Sequence, residues 1–223
     1  MEVVPLRFRD LVGIPVQECG EPLVNLLEVA PRVLCTPINA DILPYCAEGI
    51  LVRESVAKKL HLASVKLAQR ASSLQVQVVY GYRHPSIQER YHEDMIANVK
   101  RRDPFLPEDE MIERVHALIA VPSVAGHPTG GAVDVTIVRD GKPFDMGTPI
   151  WDLQSVSLIP TFSPEISNSQ LENRLLLREV LTEQDFAPFD GEWWHFSYGD
   201  REWAAYYKKP CAIYAPLDLK PLG

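Results

Sequence analysis

The sequence lacks any long run of apolar residues. None of its 223 residues lies in a stretch that approaches the roughly eighteen consecutive apolar residues of a membrane-spanning helix. The first ten residues, MEVVPLRFRD, carry charges where a secretory signal peptide needs an apolar core. With Met1 as the natural start, we therefore expect a cytoplasmic protein with no membrane partner.

Cysteine is scarce and is not spaced for metal or redox chemistry. No two of the four cysteines form a C-x-x-C pair, so neither a structural zinc ribbon nor a dithiol redox motif is indicated. Their even number permits disulfides in an exported protein, but buried thiols are the expectation here. The cysteines are Cys19, Cys35, Cys46 and Cys211.

Positive charge is also in short supply. The chain has 22 Lys and Arg against 30 Asp and Glu, which gives a net charge of −8 and a pI near 5.3. Such a chain is a poor match for a nucleic-acid backbone or an anionic membrane surface, so neither is an expected partner. With 46% hydrophobic residues and no internal repeat, residues 1–223 are predicted to form a single domain with one core. No oligomeric state follows from the sequence.

Hydrophobic periodicity predicts an α+β fold, with a small, mainly antiparallel sheet flanked by helices. The predicted helices cover residues 53–72, 86–100, 108–120, 169–182 and 200–207. The predicted strands cover residues 75–82 and 132–138, followed by a hairpin turn at 139–142 and a last strand after Gly191. In the helix at 169–182, Leu171, Leu175 and the region from Leu176 to Leu181 are expected to face inward. Residues 1–48 are Pro-punctuated and are predicted to be an irregular arm on a core of residues 49–207.

Two short motifs carry most of the chemical information. GHPTGGAVD spans residues 126–134, and EWWH spans residues 192–195. A catalytic zinc site needs three protein ligands drawn from His and Asp or Glu, an open fourth position for water, and a nearby carboxylate that is not a ligand. The motifs supply that set. The predicted ligands of one Zn²⁺ per chain are His127, Asp134 and His195, and the predicted general base is Glu192.

The spacing indicates how these side chains could converge. Asp134 lies on the predicted strand 132–138, whereas His127 lies just before it on a loop with two consecutive glycines, where the backbone can turn tightly. Glu192 and His195 are three residues apart, which places them on opposite faces of a regular strand. Because the aromatic residues between them favour a strand, a bulge or turn must re-aim one of the two.

These residues resemble the signatures of a known family, the zinc D-alanyl-D-alanine peptidases, which include VanX-type dipeptidases and VanY-type carboxypeptidases. GHPTGGAVD is similar to S-x-H-x-x-G-x-A-x-D, and EWWH to E-x-W-H. GILVRESVAKKL (residues 49–60) resembles the segment that leads into the family's first long helix. GYRHPSIQ (residues 81–88) is similar to the family's G-Y-R segment, and the resemblance implies that Arg83 stabilises the tetrahedral intermediate. It covers residues 45–207, and the double Trp with the following SYGDREWA favours the dipeptidase branch.

The sequence departs from the family pattern in two places. The family's Ser, which contacts substrate, is replaced by Ala125, and this leaves Ser123, two positions upstream, as the candidate substrate contact. The family's M-G-T/S-x-F-D stretch reads MGTPIWD here, with an extra residue, so the resemblance implies that Asp152 meets the substrate ammonium. Of Trp193 and Trp194, one is expected in the core and one in the pocket wall, with Trp194 as the candidate substrate contact.

The other histidines are not expected to take part in chemistry. His92 and His116 have charged neighbours on predicted helices, which favours solvated surface positions. His61 and His84 have no catalytic partner in the sequence. Arg83 on its own could equally be a surface ion-pair partner, and only the resemblance favours a catalytic role.

Three functions from different classes remain open. The resemblance favours hydrolysis of the free D-Ala-D-Ala dipeptide by a metal-activated water, with Glu192 as general base. The first alternative is a D,D-carboxypeptidase or endopeptidase that cuts longer cell-wall peptides. The second is a non-catalytic, zinc-dependent binding protein, against which the presence of Glu192 argues. The lack of an export signal and the EWWH form of the second motif favour the dipeptidase, with a small dipeptide as its partner.

Overall fold

The computed structural model of the chain describes residues 6–46 and 48–222. The strands are β1 Leu23–Asn25, β2 Leu34–Cys35, β3 Leu51–Arg53, β4 Leu74–Tyr80, β5 Ala132–Arg139, β6 Lys142–Pro143, β7 Ala187–Pro188 and β8 His195–Ser197. The α-helices are α1 Phe8–Leu11, α2 Leu26–Val29, α3 Leu43–Cys46, α4 Glu54–Arg70, α5 Pro85–Arg102, α6 Glu108–His116, α7 Asn168–Thr182 and α8 Arg201–Tyr206. Single turns of 3-10 helix cover Ala40–Ile42 and His127–Thr129.

The main sheet has the strand order β2-β4-β5-β8-β7, and β6 pairs with the far part of β5. The β2–β4 pair is parallel, whereas the other pairs of this sheet are antiparallel. β1 and β3 form a separate antiparallel pair. The predicted α+β fold with a mainly antiparallel sheet is confirmed, and the short parallel pair makes the sheet mixed.

Strand β5 is the centre of the fold and carries Asp134. All of its residues except the last, Arg139, are buried, because both faces of the strand are covered. Helix α4 covers the neighbouring strand β4, and it buries Val56, Leu60, Ala63 and Leu67, whose spacing places them on one face. A buried strand gives a side chain little freedom to move, so Asp134 projects from a rigid support.

Helix α7 buries Leu177, Val180 and Leu181 of the region predicted to face inward, but it does not bury Leu175. Leu175 is 39% exposed, whereas Arg174 on the inward face is fully buried. The Arg174 guanidinium donates to the carbonyl oxygens of Met146 at 2.7 Å, Pro160 at 2.6 Å and Leu158 at 2.9 Å. A pattern of apolar residues cannot predict this inward cation. It ties α7 to the loop of residues 144–163, which reaches the site described below.

The N-terminal segment is more regular than the predicted arm. β1 pairs with β3, β2 joins the main sheet beside β4, and Leu26 and Ile42 belong to the hydrophobic core. These elements contain two to four residues each, too few for a periodic pattern to be visible in the sequence. Residues 1–5 of the predicted arm lie outside the described residues.

The predictions of the hairpin turn and of the last helix are confirmed, whereas the prediction that the cysteines are buried is wrong for most of them. The hairpin at 139–142 joins β5 to β6, with positive φ at Asp140 and Gly141, as a tight two-residue turn requires. Helix α8 begins where predicted, since the Asp200 side chain accepts a hydrogen bond from the backbone N–H of Trp203. The cysteines are unpaired, but of the four only Cys46 is buried, since Cys19 is exposed and both Cys35 and Cys211 are half-buried. Every helix in the described part of the chain is too short or too polar to span a bilayer.

Candidate metal centre and catalytic cavity

Strands β5 and β8 bring the two sequence motifs together. Asp134 and His195 are directly opposite each other in the antiparallel ladder. The Nδ1 of His195 lies 3.3 Å from Oδ1 of Asp134, and the Nε2 of His127 lies 3.5 Å from the same oxygen. The three side chains are buried, and one ligand atom from each lies within 4.8 Å of the others. The structure therefore brings together the three residues that the sequence predicts as ligands.

The glycine pair before β5 allows this approach. Gly130 has φ 72° and ends the 3-10 turn that begins with His127, a conformation that favours glycine. A Cβ on Gly131 would lie 2.4 Å from the carbonyl oxygen of Tyr198, so a side chain there would push β8 away. Both glycines are needed to place His127 beside Asp134.

The remaining polar atom of each ligand has its own partner. The Nδ1 of His127 donates to the carbonyl oxygen of Gly81 at 2.8 Å, and the Nε2 of His195 donates to the Glu202 carboxylate at 3.2 Å. The Trp151 indole N–H donates to Oδ2 of Asp134 at 2.7 Å. These bonds leave lone pairs on Nε2 of His127, Nδ1 of His195 and Oδ1 of Asp134, which face one another. Imidazoles held in this way are typical of metal ligands.

The pKa shifts within the cluster are also those of a site that binds a cation. Burial lowers the pKa of His195, but the carboxylates of Glu202 and Asp134 outweigh burial and raise that pKa well above its ordinary value. For Asp134, burial raises the pKa, and the two imidazoles bring it below its ordinary range. Burial lowers the pKa of His127, which favours the neutral imidazole that a metal ligand needs, whereas positive charge is stabilised at His195 beside the carboxylates of Glu202 and Asp134. The donor set of two imidazoles and a carboxylate fits zinc.

Glu192 reaches the same cavity through the turn that the spacing required. Its backbone N–H donates to the carbonyl oxygen of Phe189 at 2.9 Å, and its own carbonyl accepts from the N–H of His195 at 3.2 Å. Strand β8 starts only at His195, so Glu192 and His195 line one cavity instead of opposite faces. Burial raises the pKa of the Glu192 carboxyl to about 8, although His195 and Arg83 lower it. A carboxyl of this kind can gain and lose a proton near neutral pH.

Arg83 lies at the end of β4 with its guanidinium in a cage of aromatic rings. The side chain is only 5% exposed, and its Nη1 donates to the Gln88 side chain at 2.8 Å. Its charged carbon lies 4.7 Å from the ring centre of Tyr80, 5.2 Å from that of Tyr91 and 5.3 Å from that of Trp151. Within residues 6–46 and 48–222 no carboxylate forms an ion pair with it. The alternative of a surface ion pair is therefore wrong, and the charge faces the cavity.

The cavity has a volume of about 380 Å³. This value lies toward the small end of the range for ligand sites, about 300 to 1,000 Å³. Its lining joins the metal cluster to an aromatic and polar wall. Besides the three cluster residues, the lining includes Arg83, Glu192, Ala125, Gln88, Tyr91, Asp94, His116, Trp151, Phe189 and Glu202.

Three predicted substrate contacts do not line this cavity. The Asp152 carboxylate instead accepts from the backbone N–H of Gln154 at 3.2 Å and caps its own turn. Ser123 is exposed on the surface, and Trp194 is fully buried in the core. The double Trp therefore supplies no wall of the cavity, because both indoles pack inward. At the position of the family's Ser the cavity is lined by Ala125, which carries no hydroxyl.

Several cavity residues were not predicted from the sequence, among them Trp151, Glu202 and His116. Trp151 lies one position before Asp152 in MGTPIWD, and Glu202 lies within SYGDREWA, but neither motif shows which side chain points inward. His116 was expected to be solvated, yet it is 3% exposed. Its neighbour Glu113 accepts from the backbone N–H groups of α1 at 2.9 and 3.2 Å, so the N-terminal segment covers this face. The other predicted bystanders, His61, His84 and His92, lie outside the cavity.

The fold and this site together define a zinc metallopeptidase. A family model described as D-ala-D-ala dipeptidase matches residues 31–213. The chain belongs to that family of peptidases.

Two D-alanyl-D-alanine dipeptidases are similar to the chain. A D-alanyl-D-alanine dipeptidase of Synechocystis sp. is 31% identical over 231 residues, which cover 91% of this chain and 92% of the relative. A D-alanyl-D-alanine dipeptidase of Escherichia coli is 34% identical over 74 residues, which cover 32% of this chain and 37% of that protein.

Solved structures resemble the chain more distantly. The vancomycin resistance D,D-pentapeptidase VanY, solved with Zn(II), is 19% identical with a TM-score of 0.43 and covers 81% of this chain and 93% of its own. The LD-carboxypeptidase LdcB is 15% identical with a TM-score of 0.49 and covers 86% of this chain and 74% of its own. Similarity at this level carries no argument about function.

Proposed function

We propose that the chain is a D-alanyl-D-alanine dipeptidase that uses one Zn²⁺, with Glu192 as general base. The observation that carries the proposal is that the metal cluster, Glu192 and Arg83 converge on one small cavity. Family membership and the named Synechocystis relative support the substrate class. A binding protein without catalysis would need neither Glu192 nor a buried, unpaired Arg83 in the same cavity.

The metal would be held by His127, Asp134 and His195. When bound, zinc lowers the pKa of a coordinated water toward about 7 and polarises a carbonyl group. The hydrogen bonds at the outer atoms of the three ligands fix the lone pairs that face the metal position. The cavity gives water and substrate access to that position.

Glu192 would move the proton. As a carboxylate it accepts a proton from the water that attacks the peptide carbonyl, and as an acid it returns the proton to the leaving amine. Its buried setting suits both steps, because the raised pKa lies close to neutral pH. Glu202, another acid of the cavity lining, is bonded to His195 and is therefore not free for this role.

Arg83 would stabilise the negative charge that develops on the carbonyl oxygen. A guanidinium without a carboxylate partner, held by Gln88 and by three rings, is already oriented for an anion and loses little entropy on binding one. The same geometry would also suit a substrate carboxylate, and kinetics of variants separate the two roles.

Arg83→Ala is expected to lower kcat by about 10² to 10³, the usual value of an oxyanion donor. Arg83→Lys should recover only part of the loss, because a point charge replaces a planar fork. Zinc content should stay unchanged in both. The measurement is kcat and KM with metal analysis, and the matched control is Arg90→Ala, an exposed arginine beside the same Tyr91 ring. A rise in KM with kcat unchanged would assign Arg83 to the substrate carboxylate instead.

We expect free D-Ala-D-Ala to be cut much faster than its N-acetyl form or a cell-wall pentapeptide. A cavity of about 380 Å³ walled by aromatic rings leaves little room for a longer chain. The cavity lining also includes Asp94, an acid that is neither a predicted metal ligand nor the proposed base, and its charge favours a free ammonium over an acetylated nitrogen.

The test is a comparison of kcat/KM for the three substrates under identical zinc concentrations. Equal rates on the acetylated dipeptide or on the pentapeptide would replace the dipeptidase by a carboxypeptidase. No hydrolysis of any of them by zinc-loaded protein would reject the proposed function altogether.

A further inference from the structure

Trp151 makes a direct contact with the metal cluster that neither motif describes. Its indole N–H donates to Oδ2 of Asp134 at 2.7 Å, and the other oxygen of Asp134 faces His195 and His127. Asp134 itself is only 1% exposed, and within the described residues the indole is the hydrogen-bond donor to its Oδ2. One oxygen of the carboxylate is thus reserved for Trp151 and one for the cluster.

An indole is a suitable donor for this position. Without a partner on Oδ2, the carboxylate could rotate or offer both oxygens to a metal. An arginine or lysine in the same place would fix the carboxylate but would compete with the metal for its negative charge. A neutral N–H fixes the orientation and leaves the charge on Asp134 for the cation.

The backbone conformation of Trp151 also indicates a functional role for this residue. Its φ of 66° lies in the left-handed region, which non-glycine residues rarely adopt and which persists only where the surroundings impose it. Here the ring packs 4.7 Å from Tyr80 and 5.3 Å from the Arg83 guanidinium carbon. Arg174 anchors both ends of the same loop through three carbonyl groups.

We propose that Trp151 is a positioning residue that holds Asp134 to a single ligand oxygen while its ring orients Arg83. The proposal rests on the proposed function in one respect, namely that zinc binds at Asp134. Trp151 therefore links the metal ligand to the arginine of the cavity, although it need not touch the substrate. Removing only the indole N–H should weaken zinc binding, while aromatic rings still surround the Arg83 guanidinium.

Trp193 provides a matched control within the same protein. It is also a buried tryptophan, and its indole N–H donates to the hydroxyl of Thr148, in the same loop, at 2.9 Å. It does not line the cavity. Trp151→Phe and Trp193→Phe thus each remove one indole hydrogen bond of this loop, and only the first concerns a predicted metal ligand.

The experiment measures the zinc dissociation constant of each protein by competition with a chromogenic chelator. We expect Trp151→Phe to weaken zinc binding by about 10- to 100-fold, the usual effect of losing a partner of a metal ligand. Trp193→Phe should change it by less than about threefold. Thermal unfolding with and without zinc accompanies each measurement. If Trp151→Phe lowers the Tm of the metal-free protein as Trp193→Phe does but binds zinc as tightly as the wild type, Trp151 is only structural and the proposal is overturned.

A second variant keeps the test decisive if Trp151→Phe does not fold. Benzothienylalanine at position 151, introduced by genetic code expansion, has the shape of tryptophan with sulfur in place of the N–H. It should reproduce the loss of zinc affinity at wild-type stability, whereas unchanged affinity would overturn the proposal. Failure of the proposed function is distinguishable, because in that case the wild type itself would bind no zinc or cut no dipeptide.

Discussion

Glu192→Gln is expected to lower kcat by about 10² to 10⁴ while zinc stays bound. Glutamine keeps the size and polarity of the side chain but cannot accept the proton of the attacking water. Glu192 is not one of the three proposed ligands and lies in the turn before β8. Its replacement should therefore leave metal binding unchanged. The measurement is kcat on D-Ala-D-Ala together with zinc content for each protein.

The control for this variant is Glu179→Gln. Glu179 is an exposed residue of α7 that pairs with Arg70 at 2.7 Å, far from the cavity lining. An exposed pair of this kind contributes little, so activity should remain close to that of the wild type. Near-normal turnover of Glu192→Gln would assign the base to another group and would reject the proposed role of Glu192.

Loss of the metal is expected to abolish activity. Purified protein should contain close to one zinc per chain, and a chelator should remove activity in a way that added zinc reverses. Replacing any one of the three proposed ligands by alanine should lower the zinc content, because a three-ligand site that loses a ligand binds zinc weakly. The variants are His127→Ala, Asp134→Ala and His195→Ala. Elemental analysis of the dialysed proteins measures this directly.

His84→Ala is the matched histidine control. His84 is tied to Asp218 at 2.7 Å and stacks on Tyr45, outside the cavity. It should retain zinc and activity. Full zinc occupancy in all three cluster variants would contradict the proposed ligands, because the metal would then be bound elsewhere in the protein. The turnover of Glu192→Gln would then show whether the role of Glu192 had been misassigned as well.

The two sets of variants separate the proposed roles from each other. The cluster variants should lose both zinc and turnover, whereas Glu192→Gln and Arg83→Ala should lose turnover alone. Trp151→Phe should occupy an intermediate position, with weaker zinc binding and activity that returns at high zinc concentration. A general loss of folding would not produce these three distinct outcomes.

Local patterns account for most of what could be predicted. Helices α4, α5 and α7 and strands β4 and β5 lie close to their predicted positions, because each is long enough for its apolar spacing to be read along the chain. The site prediction rested on spacing within two short motifs, and the turn before His195 was required by the three-residue offset. The strands of two or three residues had no such signal.

The sequence alone therefore predicted the proposed reacting groups, whereas the tertiary structure shows how they are held and enclosed. His127, Asp134, Glu192 and His195 were identified by their chemistry and by their separations along the chain. Their partners Gly81 and Trp151 come from other segments, and the N-terminal helix that covers His116 is about a hundred residues away from it. Contacts between distant segments depend on how the elements pack, which a local pattern does not encode. For that reason Asp152 and Ser123, chosen through the family resemblance, and Trp194, chosen within EWWH, proved to lie outside the cavity, and Trp151, one residue from Asp152, lies within it.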